Sequence, residues 1–299
     1  MTEITDPNVL DQLENFGKAT CLIRVPGQLK GTGFHFGSGW VMSVAHNFQN
    51  ATDTPQLHSL LSRATFTFTV NGEHYNFGAQ ENRMAFIHHL QLGPGNQVDP
   101  INMDIAMVKL GIQYQQGRTK ESDYEAWETG EQRKLNSMNL ICFADIEERQ
   151  VIAGNQVYAI HYGGDDDNMK KEQHTIVAVT NTWAGDTISV IPVIKLQRPI
   201  QAGASGCPIL SNDFKLVGLG FCANNANGFA LPWNDGNHSI KQYISDGVEI
   251  IAQFERYLAL KDIQAQVQAG ELRQTLLQKA EQLDLTIYLM NGVILNGPN

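Results

Sequence analysis

The sequence predicts an all-β protein built as two β-rich blocks with an α-rich C-terminal extension. Three observations lead there. Twenty-seven glycines in 299 residues supply many tight turns. Short apolar or alternating runs, broken by Gly, Asn or Pro, fill residues 18–110 and recur from about 140 to 232. Beyond residue 238 the apolar positions fall at helical spacing instead. A hydrophobic content of 42% is enough for two small cores. No run of about 18 uncharged apolar residues occurs, so no membrane span is expected.

Taken in order, residues 1–17 read as an N-terminal arm or short helix. The first β block, 18–110, holds the runs Thr20–Val25, Gly39–Val44, Ala64–Val70 and Ile105–Leu110. Within it, Thr65–Val70 alternates apolar and polar residues, the pattern of a half-buried strand. Residues 111–138 are polar and read as a connecting segment. The second block, 139–237, holds Gln156–His161, Thr175–Thr182, Thr187–Val193 and Lys215–Phe221. In 238–299, Val248–Leu260 and Glu271–Leu283 have helical spacing, and Asn291-Gly292 between two apolar runs signals a terminal hairpin. No fixed-period repeat or low-complexity segment is present.

A net charge of -10 excludes bulk attraction to nucleic acid or to an anionic membrane. The N-terminus is acidic and has no apolar stretch of the kind a secretory leader carries. Four cysteines, Cys21, Cys142, Cys207 and Cys222, are sparse for a secreted chain of this size. Counting leaves their pairing open, but together these features lead us to expect free thiols and a cytoplasmic location. Asp165-Asp166-Asp167 reads as a solvated turn, because it lacks the twelve-residue calcium loop. His88-His89 has no accompanying metal-ligand spacing and reads as surface. No metal or cofactor is expected.

Three local patterns carry the chemistry. In the first, Gly31-Thr32-Gly33-Phe34 is followed by Gly39–Ala45, a β run that ends at His46. The second is Asp104 opening the run Ile105–Leu110. The third is Gly203-Ala204-Ser205-Gly206-Cys207-Pro208, a serine in a glycine-flanked turn ahead of a strand. A serine hydroxyl is a poor nucleophile unless a base takes its proton as it attacks. Histidine suits that task because it titrates near neutrality. A carboxylate then fixes its tautomer and stabilises the imidazolium. The amides of Gly203 and Ser205 can converge on one developing oxyanion, and Gly203 tolerates the backbone conformation this requires. Each pattern alone is common. Their order, His46, Asp104, Ser205, with gaps of 58 and 101 residues, makes coincidence a poor explanation.

With these motifs the chain resembles the chymotrypsin-like (trypsin-like) serine peptidases over roughly residues 18–235. It is nearer the HtrA/Deg-type and intracellular or viral branches than the secreted digestive enzymes. The resemblance implies two six-stranded β-barrels with the catalytic cleft between them. It places His46 and Asp104 in the first barrel and Ser205 in the second. It implies an endopeptidase working on protein or peptide substrates through an acyl-enzyme. Lys215–Phe221 and Gly228–Pro232 resemble the last strands beside the substrate pocket.

The departures from the family are also informative. Ala204 stands where secreted members carry the aspartate that pairs with a cleaved N-terminus, so zymogen activation by that route is not expected. Pro199 stands where trypsin-type members carry an acid for basic substrates. The implied pocket, Pro199, Ile200 and Gln201 with Gly220, Phe221 and Cys222, is apolar and favours small or medium apolar residues. The helices of 238–299 are a candidate regulatory or self-association element. Two rival readings remain. One is a catalytically silent binding module on the same fold. The other is an esterase of the α/β-hydrolase type, which Gly203–Cys207 fits poorly because it lacks the second glycine of G-x-S-x-G.

Overall fold

The computed structural model describes residues 4–27, 30–37, 39–48, 63–87, 97–98, 105–111, 138, 150–183, 187–233, 286–288 and 294–295. The chain opens with a helix, α1 (Pro7–Lys18), started by Asp6, whose side chain accepts from the Asn8 amide at 2.9 Å. Pro7 takes the first helical position, where a missing N–H costs nothing. The strands of the first block are β1 (Thr20–Arg24), β2 (Gly31–Gly37), β3 (Trp40–Ser43), β4 (Thr65–Val70), β5 (Glu73–Ile87), β6 (Gln97–Val98) and β7 (Ile105–Gly111). A short 3-10 turn, Ala45–Phe48, follows β3. The second block holds β8 (Gln156–His161), β9 (Lys170–Trp183), β10 (Thr187–Leu196), β11 (Pro208–Ser211), β12 (Leu216–Ala223) and β13 (Gly228–Pro232). Two C-terminal strands, β14 (Thr286–Tyr288) and β15 (Ile294–Leu295), complete the set.

Both blocks close on themselves. The first runs β5-β4-β1-β2-β3-β7, and β7 pairs back onto β5. The second runs β13-β12-β11-β8-β9-β10, and β10 pairs back onto β13. Each is a six-stranded barrel, and closure removes the open edges that would otherwise template aggregation. The expected all-β fold of two barrels is therefore observed.

Period-two alternation builds the interiors. Cys21 and Ile23 of β1, Phe66, Phe68 and Val70 of β4, and Ala106, Val108 and Leu110 of β7 share the core of barrel one. Met138, at the end of the polar connecting stretch, packs into the same core. Barrel two is filled from Val157, Ala159, Ile176, Ile194, Leu196, Cys207, Ile209, Val217 and Ala230. Cys21 and Cys207 are buried free thiols. Among the described residues no helix is long and apolar enough to cross a membrane.

Three features were not legible in advance. β5 spans 15 residues of mixed polarity, yet it closes barrel one. Glu73–Phe77 pair with β4 and the rest of the strand, from Gly78, pairs with β7, with a register shift between Ala79 and Met84 inside the β7 pairing. β6 pairs in parallel with β10, so the stretch ahead of Asp104 is stitched to barrel two. β14 pairs antiparallel with β15, Ile287 opposite Leu295, and it also pairs with β5 through Met84, Ala85 and Phe86. A chain cut before residue 286 therefore leaves β5 with an unpaired edge. The expected helices 248–260 and 271–283 lie outside the described residues, as does His88-His89.

Candidate active site

The two barrels meet at the turn between β10 and β11, which carries Ser205. From Gln201 to Cys207 each peptide of that turn has at least one group held. Because a trans peptide points its C=O and the next N–H in opposite directions, fixing one aims the other. Gly164 N–H donates to the Ala202 carbonyl at 2.8 Å, which turns the Gly203 N–H the other way. Cys207 N–H donates to the Ala204 carbonyl at 3.0 Å, which does the same for the Ser205 N–H. Between them, the Ala204 amide donates to Gln201 O at 2.9 Å. Among the described residues neither the Gly203 nor the Ser205 amide donates to another backbone carbonyl. Gly203 and Gly206 sit at φ +88° and +91°, a region closed to most side chains. The result is a pair of unspent N–H donors on a fixed frame.

Barrel one supplies half of that frame through Thr32, which is fully buried. Its amide donates to Ser205 O at 2.9 Å and its hydroxyl to Gly203 O at 2.9 Å. The same hydroxyl accepts from the Tyr162 amide at 3.1 Å. The Thr32 carbonyl in turn accepts from Ser43 Oγ at 2.7 Å. Asn47, next to His46, donates from Nδ2 to Ser43 Oγ at 3.0 Å and to Ser205 O at 2.9 Å. The half-buried His46 thus rides on a 3-10 turn whose next residue grips the Ser205 carbonyl. Ser205 Oγ donates to Phe221 O at 3.3 Å, a long bond that a better partner would displace. Asp104 lies outside the described residues. The strand it precedes, β7, pairs with β3, with Ala106 opposite Ser43.

A model of the trypsin-like peptidase domain matches residues 31–219, a span that includes Thr32, His46 and Ser205. The chain belongs to the trypsin-like peptidase family. The peptidase is accordingly a serine endopeptidase, a hydrolase of protein or peptide chains. No curated protein sequence matches it. Among solved structures it is similar to a serine endoprotease from Yersinia pestis, at 14% identity, a TM-score of 0.49, and coverage of 83% of this chain and 68% of that one. It is also similar to the active form of a protease from M. tuberculosis, at 16% identity, a TM-score of 0.47 and coverage of 77% and 83%. A third, Deg5, matches at 16% identity, a TM-score of 0.46 and coverage of 77% and 92%.

The residues expected around the substrate pocket of the peptidase divide into two groups. Ile200 is buried in the barrel-two core, with Cδ1 close to Gly220. Gly220 is hemmed in, since a Cβ there would lie 2.5 Å from Cys207 Sγ. Its carbonyl takes the Gly206 amide at 2.7 Å. Burial pushes the Cys207 thiol up to about 12, and its side chain packs in the barrel-two core. Gln201 is exposed, and its side-chain oxygen accepts from the Lys170 ammonium at 2.9 Å. Pro199 lies just after β10, and Phe221 offers its carbonyl to Ser205. The side chain of Cys222 lies outside the described residues.

Sequence reasoning missed Thr32, Asn47 and Gly164 as site residues. Thr32 stands inside the Gly31–Phe34 pattern, but nothing local gives it or the other two a role, because their partners lie far away in the chain. Replacing Thr32 with valine keeps the shape but strands two buried groups, Gly203 O and Tyr162 N–H. Each orphaned group costs roughly 1–3 kcal/mol. The expected result is a lower urea midpoint together with a drop of about tenfold in kcat at nearly constant KM, because the frame acts on the transition state. Equal kcat in both proteins would show that the hydroxyl does not frame the site.

Sequence reasoning also missed a buried polar cluster inside barrel two, formed by His161, Glu172 and His174. Glu172 Oε2 lies 3.1 Å from His174 Nε2 and 3.6 Å from His161 Nε2. Burial works to raise the Glu172 pKa, but the two imidazoles outweigh it and hold the carboxyl well below the usual range. A lowered folded pKa contributes stability above the unfolded value of about 4.3, and that contribution is lost as pH falls below it. Glu172→Gln should therefore reduce stability at pH 7, by about 1–3 kcal/mol. It should also flatten the loss of stability between about pH 4 and pH 2. Urea midpoints across that range measure both effects, and parallel acid limbs would rule out Glu172 as their source.

Proposed function

We propose that the peptidase works through a triad of His46, Asp104 and Ser205, with the Gly203 and Ser205 amides as the oxyanion hole. The observation that carries this reading is the turn itself: two amides left unspent beside a serine, on peptides whose carbonyls are all engaged. In this mechanism Ser205 Oγ attacks the scissile carbonyl while His46 takes its proton. Negative charge collects on the carbonyl oxygen, where the two amides meet it. The leaving amine departs with the proton from His46, and an ester to Ser205 remains. Water, deprotonated by His46, then hydrolyses that ester and returns the proton to Ser205. Asp104 orients the imidazole throughout.

The residues read as the pocket walls, Gly220, Phe221 and Ile200, are apolar, and Pro199 brings no charge. This supports cleavage after small or medium apolar residues. A processing or regulatory role inside the cell, restrained by the chain beyond 237, is the biological setting this reading favours. One observation favours the silent alternative: the Ser205 hydroxyl is spent on Phe221 O. Fluorophosphonate labelling of the full chain and its Ser205→Ala variant separates the two. Labelling and cleavage of a diverse peptide library, both lost in the variant, support the triad and reveal the preferred residue. A folded protein that takes up no label sinks it.

A further inference from the structure

The mechanism above makes no use of His161, Glu172 or His174. β8 and β9 pair His161 with Lys170, Ala159 with Glu172 and Val157 with His174. The three therefore continue the inward rows that begin with Val157, Ala159 and Ile176 of the apolar core. All are at least nine-tenths buried, at 0%, 8% and 2% exposure. An ionisable trio in such a place is costly and calls for a reason.

The hydrogen bonds supply one. His161 Nδ1 accepts from the Gly163 amide at 2.9 Å. An amide can only donate, so Nδ1 carries no proton and the neutral ring bears it on Nε2. That nitrogen faces Glu172 Oε2 at 3.6 Å and has no closer partner. The Gly163 amide thus fixes the tautomer, and the Glu172 carboxylate faces the nitrogen that carries the proton. The next amide along, Gly164 N–H, is the one that holds Ala202 O and so aims the Gly203 N–H. Gly163 leaves the turn no slack, since a Cβ there would stand 2.9 Å from both Gln201 Cβ and His161 Nδ1.

We propose that His161 is a positioning residue for the oxyanion hole. Oriented by Glu172, it clamps the Gly163-Gly164 turn against residues 201–203 and thereby sets the direction of the Gly203 amide. Other ionisable groups facing this region are His174 on β9, which shares Glu172, Lys170, whose ammonium is taken by Gln201 and Asp166, and the buried Cys207 thiol. None of them reaches the Gly163 amide in place of His161. The catalytic consequence rests on the peptidase reading of Ser205; the clamp itself does not.

Two substitutions in the full chain separate the ring's two nitrogens. In His161→Asn the side-chain oxygen falls near the Nδ1 position and can still accept from Gly163. In His161→Gln the amide falls near the Nε2 position, so Glu172 keeps a partner but Gly163 loses its acceptor. His161→Gln is expected to lose about 10²-fold in kcat with KM within about threefold, and His161→Asn to stay within about fivefold of the parent. Amide hydrogen exchange at Gly164 is read in parallel and needs no activity. It should quicken at least about tenfold in the glutamine variant and remain unchanged in the asparagine variant. Unchanged Gly164 exchange in folded His161→Gln, or equal kcat losses in the two folded variants, overturns the proposal. A parent protein that hydrolyses nothing while Gly164 exchange follows the expected pattern upholds the clamp and removes the peptidase reading.

Discussion

Replacing Ser205 with alanine is expected to lower peptide turnover by about 10⁵–10⁶-fold, the scale at which loss of a serine nucleophile leaves only background catalysis. The fold should survive. The bonds that the barrels make to this residue run through its backbone: Thr32 N–H and Asn47 Nδ2 both donate to Ser205 O, at 2.9 Å each. The side chain adds one long contact, to Phe221 O at 3.3 Å. Its loss should move the urea midpoint by less than about 1 kcal/mol. kcat on the best library peptide and urea unfolding measure the two quantities separately. A variant that keeps a tenth of the parent rate would mean that another group attacks the substrate, and the assignment of Ser205 would fall.

Gly206→Ala should have the largest effect on stability of any single methyl added to the turn that carries Ser205. The residue sits at φ +91°, where an L side chain is strained. A Cβ there would lie 2.0 Å from the Thr32 carbonyl oxygen and 2.3 Å from Ser43 Oγ. The first of these atoms is backbone inside β2, so a rotamer change cannot relieve the contact. Either β2 or the nucleophile turn must move, and that breaks bonds from Thr32 and Asn47 to Ser205 O. A cost of at least about 4 kcal/mol is expected, which is a large share of a domain's usual margin of about 5–15 kcal/mol. Any folded fraction should react with fluorophosphonate far more slowly than the parent, because the Ser205 amide would no longer be aimed. A midpoint and labelling rate equal to the parent's would mean that the barrels do not cross as tightly here as the Thr32–Gly206 contact requires.

Much of the architecture was legible from periodicity. Thr65–Val70 alternates in sequence, and Phe66, Phe68 and Val70 do line the barrel-one core. Gln156–His161 was marked with the bounds it adopts in β8. β5 escaped because fifteen residues of mixed polarity carry no clean period when a strand changes partner midway. β6 escaped because two residues are too few to carry any pattern. The docking of β14 on β5 joins positions about 200 residues apart, and local signals do not register such pairings.

The sequence by itself determined the chemistry on offer. It held a serine between glycines, a histidine at the end of a β run, an acid at the head of another, and alternating runs enough for two cores. Those are properties of residue type and short spacing, and they are local. Only the tertiary structure decided which carbonyls would be held and therefore which amides would be free. Thr32 reaches Gly203 across 171 positions, and Asn47 reaches Ser205 across 158. His161 acts two residues along on Gly163, yet what it aims lies on a different strand connection. Direction is the quantity a reactive site depends on, and a peptide's direction is set by whatever grips its other end. In this peptidase those grips come from the opposite barrel and from a buried imidazole, where no local reading of the chain can see them.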